Sequence, residues 1–377
     1  MRIFLRQQAF PIEHQKQMSN RKFFRQTSII LPLLLVFVIF AGGCIFTPKD
    51  KVDRPTLLKV EDATQSQMIG QINNFAKVNS MRAKMDLKFE DNSYAELGIA
   101  EKYKTAPGEI VVQRPANIFL KVQVPIVNSD IAQMTSDGAK FRVAILQDNS
   151  GGKYKKFVVG TNDADYSSLQ TEVSQMDFND KGIKQNVNAF SNLRPQHFTD
   201  AMLIRPVDTN NFLYSQSTIL EQEENLDLPK KSPLRKVLRG YYLLDELRKN
   251  EDGSLTVSRR FWFDRVGTVR LARQQIFDAE GEIESDITYG KTGNLGDAGE
   301  YNNLPLRIEV TRPKEKYKMS LTYQSPESVS IGKTYNAEVF VLKNTWNLEE
   351  VDLDKKLQTN SGRKTAVSNQ TTTVENK

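Results

Sequence analysis

Thiols are almost absent from this chain. Its 377 residues include one cysteine, Cys44, so no intramolecular disulfide can form and stability must come from packing. Histidine is nearly as scarce, with only His14 and His197, and there are two tryptophans. That scarcity removes the common ways of building a reactive centre. There is no Cys/His/Asp cluster at metal-ligand spacing, no Gly-rich phosphate loop after a strand and no nucleophile elbow. Carboxylates are plentiful, but none stands out from the turns and polar faces that already account for them, so a carboxylate-only hydrolase has no candidate pair. The sequence reads as non-enzymatic, with no catalytic residue, no metal site and no cofactor.

A surplus of charge is also missing once the first 43 residues are set aside. The whole chain holds 52 Lys+Arg against 46 Asp+Glu. Arg2, Arg6, Lys16, Arg21, Lys22 and Arg25 lie in that leader with a single acid, Glu13, leaving 46 bases and 45 acids. No basic stripe interleaved with aromatics follows, so nucleic acid is not an expected partner.

One long hydrophobic run is present, Ile29 to Phe40, behind the leader's bases and ahead of Ala41-Gly42-Gly43-Cys44. This is the layout of an export signal, with the positive charge staying on the cytoplasmic side. The Ala-Gly-Gly-Cys run resembles the bacterial lipobox, although Ala41 stands where leucine is commonest. The resemblance implies cleavage before Cys44 and a covalent diacylglyceryl and N-acyl (palmitate-type) modification there. The competing reading is an uncleaved transmembrane anchor, since Ile29 to Phe46 matches the shortest spanning helices. Met18 would begin a more ordinary signal than Met1. Residues 1–43 are thus read as a lipoprotein signal peptide. Residues 44–61, polar and carrying Pro48 and Pro55, are read as a flexible tether. Ile45 after the cysteine, in place of aspartate, favours sorting to the outer membrane, with the globular part facing the periplasm.

The mature chain of about 330 residues is long enough for a large core. Asp62 or Thr64 caps a first helix in which Met68, Ile69, Ile72, Phe75 and Ala76 recur at helical spacing. Met81 to Glu90 then alternates strictly, apolar at odd positions and polar at even ones. Further strands are expected at 109–113, 118–124, 131–134 and 141–145, punctuated by Pro107-Gly108, Arg114-Pro115 and Ser136-Asp137-Gly138. After a less regular middle, the ladder resumes at 257–263, 269–277, 283–289, 305–310 and 317–323. Asp252-Gly253, Asp264 to Gly267 and Asp278 to Gly281 supply turn geometry rather than calcium ligands. Asn192 to Ile204 reads as a capped helix with Pro195 in its first turn, a candidate lid. Leu226 to Arg239 reads as a solvated charged loop.

Several of these segments together resemble the bacterial lipoprotein-localisation fold of the outer-membrane lipoprotein carrier and its receptor. They are the helix leading through Val78-Asn-Ser-Met-Arg82 into a strand, Gly108 to Lys121, Met134 to Gly138, Phe261-Trp-Phe-Asp264 and Leu304 to Ile308. The resemblance implies an α+β fold, a curved incomplete antiparallel β-barrel covered by a few helices. It forms one main domain over 62–346, with an insertion near 146–256 and a disordered polar tail at 347–377. It also implies an apolar concave face that takes lipid or lipoprotein acyl chains, with Met85, Leu87, Phe89, Ile118, Leu120, Val122, Phe141, Val143, Phe261 and Phe263 as lining residues. Ile126 in Val124-Pro-Ile-Val-Asn128 is the implied membrane-contact tip, although Val127 replaces the family's glycine and a buried strand end remains an alternative. The residues alone leave a lipid-sized cavity and a filled core equally open. The expected function is accordingly binding or transfer of lipid or acylated-protein ligands. The alternative is a structural or protein-binding envelope lipoprotein with a filled core and an envelope protein partner.

Overall fold

A computed structural model describes residues 54–91, 101–102, 105–124, 129–147, 152, 155–164, 166, 195–296 and 301–359. Cys44, Ile126, the leader and residues 360–377 lie outside them. The first part of the sheet is β1 (Thr56–Leu57), β2 (Ser80–Asp91), β3 (Glu101–Lys102), β4 (Ala106–Gln113), β5 (Asn117–Gln123), β6 (Asp130–Asp137), β7 (Lys140–Ile145) and β8 (Lys156–Thr161). The second is β9 (Phe212–Glu224), β10 (Lys236–Lys249), β11 (Leu255–Asp264), β12 (Arg270–Phe277), β13 (Ile283–Leu295), β14 (Tyr301–Arg312), β15 (Tyr317–Tyr323), β16 (Ser330–Ile331) and β17 (Glu349–Asp352). Helix α1 spans Gln65–Ala76 and α2 spans Pro195–Met202. Residues 353–359 form a third helix, α3.

All seventeen strands join one sheet. Starting at β9, antiparallel neighbours run through β10, β11, β12, β13, β14 and β15 to β2, then through β4, β5, β6 and β7 to β8. β17 adds to β8 in parallel, and β1 runs parallel beside the start of β10. Among the described residues β9 and β17 do not pair, so the sheet is unclosed. It is nevertheless bent. Helix α2, about 12 Å long by its eight residues, touches β4, β5 and β6 and also β14. In a flat sheet, β14 and β6 would stand roughly 24 Å apart. Only a sheet wrapped around the helix brings both within reach, and the result is an incomplete antiparallel barrel covered by helices.

Local chemistry explains the pieces. Thr64 caps α1 as expected, its hydroxyl accepting from Gln67 N while the Gln67 side chain accepts from Thr64 N. Met68 and Ile72 on that helix are fully buried. Gln71 fastens α1 to the sheet, donating to Val269 O at 2.8 Å and accepting from Leu271 N at 3.2 Å. In the turn after β12, Asp278 Oδ1 accepts from the amides of Glu280 and Glu282, and Gly281 takes φ +86, which explains the Asp-x-x-Gly spacing as turn geometry.

Four expectations need correction. Pro107-Gly108 does not separate strands but lies inside β4, paired with Asp86 and Met85. A Cβ at Gly108 would come within 2.3 Å of Leu87 Cδ1 and 2.7 Å of Lys121 O, so the glycine permits close strand approach. The flexible tether expected over 44–61 does not run to 61, because Thr56 and Leu57 pair with Val237 and Leu238, and Glu61 N donates to Arg265 O, while residues 44–53 lie outside the described residues. Residues 347–377 are not uniformly a disordered tail: β17 pairs with Lys156 to Val159 and α3 follows it. The stretch 146–256 contributes β8, α2, β9 and β10 to the common sheet and core, and its expected charged loop gives way to β10 at Lys236.

Candidate functional site

The ten residues expected to line the concave face all turn toward one apolar interior. Met85, Ile118, Leu120, Val122, Phe141, Val143, Phe261 and Phe263 are buried in the main core, and Leu87 and Phe89 are half-buried against it. Register makes most of them a continuous row. Leu120 faces Met134, Met134 faces Val143, and on the far strands Phe261 faces Leu244. Phe89 stacks on Tyr317 with ring centroids 5.2 Å apart. The structure thus brings the ten together, eight on β2, β5 and β7 and two on β11.

This interior is occupied by protein. Phe198, Ala201 and Met202 of α2, with Leu203 and Ile204 after it, are buried within the same core. Beside Ala201 and Met202 of α2 a void in this core measures about 20 Å³, room for about one water. It is lined by Phe75, Val78, Met81, Ile204, Tyr289 and Tyr323 among others, and by none of the ten expected residues. A larger depression of about 760 Å³ is open to solvent beside Asp130, Lys155 and Trp346 and includes none of the ten either.

How α2 is held is the distinctive chemistry. A helix leaves its last carbonyls without backbone partners, and here the sheet supplies side-chain donors to five carbonyls in and after the last turn. Tyr289 Oη donates to Ala201 O at 3.4 Å. Arg114 donates from Nη1 to Leu203 O at 3.3 Å and from Nη2 to Ile204 O at 2.6 Å, while its Nε reaches Val78 O at 3.2 Å. Arg259 donates from Nη1 to Arg205 O at 2.9 Å and from Nη2 to Pro206 O at 3.2 Å. Cationic donors at a helix C-terminus also complement its dipole. Burial lowers the Arg114 pKa below the usual guanidinium range.

Arg259 is itself paired with Glu246, both essentially fully buried, with Nε to Oε1 at 2.8 Å and a second contact between Nη2 and Oε2. The Tyr214 hydroxyl donates to Glu246 Oε2 at 2.6 Å, and desolvation together with that carboxylate pushes the tyrosine up to about 12. On α2, His197 Nδ1 shares a hydrogen bond with the Tyr317 hydroxyl of β15. Asp200 sits above the usual carboxylate range because it is desolvated, a shift that Arg205 opposes and Glu284 reinforces.

Sequence reasoning found the helix and the apolar row but missed Arg114, Arg259 and Glu246. Their signal was parity. Arg259 shares the inward register of Phe261 and Phe263, and Glu246 that of Tyr242 and Leu244, on strands where the two face each other. Opposite charges at inward positions of adjacent strands mark a buried pair. Among the described residues no group of His, Cys, Asp or Glu could hold a metal ion, and no helix is long and apolar enough to cross a membrane.

These features define a class, an incomplete antiparallel barrel with an apolar inner face plugged by a short helix. The chain is similar to a LolA-superfamily protein of Nitrosomonas europaea, at 11% identity and a TM-score of 0.37, covering 74% of this chain and 99% of that one. It is also similar to a DUF1329-family protein of Desulfovibrio piger, at 9% identity and a TM-score of 0.36, covering 73% and 94%. A Vibrio parahaemolyticus domain described as outer-membrane lipoprotein-sorting is similar at 9% identity and a TM-score of 0.34, covering 73% and 95%. The sequence matches no family model and no curated protein. These likenesses concern fold alone.

Proposed function

We propose that this chain is an envelope lipoprotein, anchored through acylated Cys44 to the periplasmic face of the outer membrane, that binds or hands over acyl chains by exchanging them for α2. The observation that supports this reading most is that one eight-residue helix fills the apolar barrel and is fastened through backbone carbonyls rather than by strand pairing. Magnitudes favour an exchange over a spontaneous opening. Baring Phe198, Met202, Leu203 and Ile204 to water would cost roughly 6–12 kcal/mol at about 1.5–3 kcal/mol per buried side chain. Each methylene of an incoming chain returns on the order of 0.8 kcal/mol, so about 8–15 methylenes balance the loss. An ordinary acyl chain is therefore close to an even trade for the helix. Ile126 is the proposed point of membrane contact.

The test is lipid content. Phe89→Glu places a charge on the inner face and is expected to reduce co-purifying or added fluorescent fatty acid at least several-fold. Arg114→Gln loosens the fastening and is expected to raise uptake. Binding that neither variant changes would reject the exchange. The second reading, a filled-core scaffold for protein binding, is favoured by the 20 Å³ void and predicts no lipid uptake in any variant. Anchoring is separable: Cys44→Ser is expected to yield a folded protein that no longer partitions with membranes, and persistent partitioning would point to the uncleaved apolar segment.

A further inference from the structure

The sheet ends at β9, and from Phe212 to Leu220 this edge carries no charged residue. Natural edge strands are short, or carry Lys, Pro or bulges, because an open row of amides and carbonyls recruits other strands. β9 is thirteen residues long, and all thirteen are in register with β10 without a break. Its sequence, Phe-Leu-Tyr-Ser-Gln-Ser-Thr-Ile-Leu-Glu-Gln-Glu-Glu, contains no Lys, Arg, Pro or Gly. Leu213 and Leu220 are more than half exposed, and Ile219 is 38% exposed. Among the described residues no strand lies on its outer side. Among the described residues, the side-chain hydrogen bond to its backbone is from Gln65 Nε2 to Tyr214 O at 3.3 Å, near one end.

We infer that β9 pairs antiparallel with β9 of a second copy of this chain about a two-fold axis at Thr218, joining two barrels through one continuous sheet. Three properties of the strand agree on that register. An odd length lets every residue from Phe212 to Glu224 find a partner with Thr218 on the axis. Partners then share parity, so the inner face of one copy continues into the inner face of the other. The acids are all at one end, and the antiparallel arrangement sets each against a neutral residue: Glu221 against Ser215, Glu223 against Leu213 and Glu224 against Phe212. A parallel pairing in register would place acid on acid, which is unfavourable for directly opposed residues. Isologous contacts of this kind close on themselves and do not propagate.

Sedimentation velocity on the full chain in a density-matched detergent tests this, read as the monomer–dimer constant. The wild type is expected to dimerise reversibly. Ser215→Lys puts a cation opposite Glu221 of the second copy at two symmetric places and should tighten the dimer. Ser215→Glu should loosen it at least as much, and Thr218→Lys, which brings two like charges together on the axis, should loosen it by tenfold or more. Because Ser215 also lies opposite Asp245 of β10 in its own chain, the melting temperature of each variant is read alongside, and opposite shifts of the dimer constant with unchanged melting temperatures place the effect at the second copy. A chain that stays monomeric at all accessible concentrations, or a dimer that both Ser215 variants shift the same way, would overturn the inference.

Discussion

At the scale of single residues, Arg259 and Glu246 do the most. Their ion pair is buried inside an otherwise apolar interior, and that is sustained only because Arg259 also serves two carbonyls and Glu246 also accepts from Tyr214. Removing one partner strands a charge in low dielectric. Glu246→Ala is therefore expected to destabilise the fold by about 3–5 kcal/mol, measured by urea unfolding. Replacing both with apolar residues should cost less than that single change. Asp200 gives a pH signature. Its folded pKa is raised, so its favourable contribution is present below the unfolded value and is lost as pH rises through the folded one. Asp200→Asn should thus be more stable than wild type at neutral pH, with the gain vanishing toward about pH 4. Arg205, Arg259, Arg312 and Glu284 surround the group and act on the carboxylate form only. A gain that persists unchanged at low pH would show that the carboxyl is not held up by burial.

Among elements, the β17–α3 segment deserves the name of a clasp. Lys156 pairs with Glu349, Thr161 Oγ1 donates to Asp354 Oδ2 at 2.8 Å, and the Tyr166 hydroxyl bonds the same carboxylate. Ending the chain after Leu348 would uncover β8 as a second open edge. Such a truncation is expected to lower the melting temperature by several degrees and to promote aggregation in thermal scans followed by light scattering. The same elements show where sequence reading succeeds and fails. β2 and β15 were legible nearly to the residue, because one face is buried and the other wet, which writes a period of two. β9 was not, since both of its faces are largely exposed and Ser215 to Thr218 carry no alternation. β17 was hidden for another reason: Glu-Glu-Val-Asp has little strand propensity, and only docking on β8 makes it a strand. The two arginines that hold α2 stand more than fifty residues from the carbonyls they serve there, so nothing local in the sequence joined them to that helix.

For the whole molecule, the small β1 strand limits the anchor. With attachment at Cys44 as proposed, a leash could extend no further than Pro55, because Thr56 and Leu57 are pinned to β10 and Arg265 donates from Nε to Glu61 O at 2.9 Å. Eleven extended residues reach about 40 Å, against about 60 Å for a leash running to Glu61. Under that proposal the body would keep a fixed working radius, confined to a thin layer over its own leaflet. A cargo, under the same proposal, would have to be brought into that layer by something else, and a partner rooted in an opposing membrane would have to cover most of the distance itself.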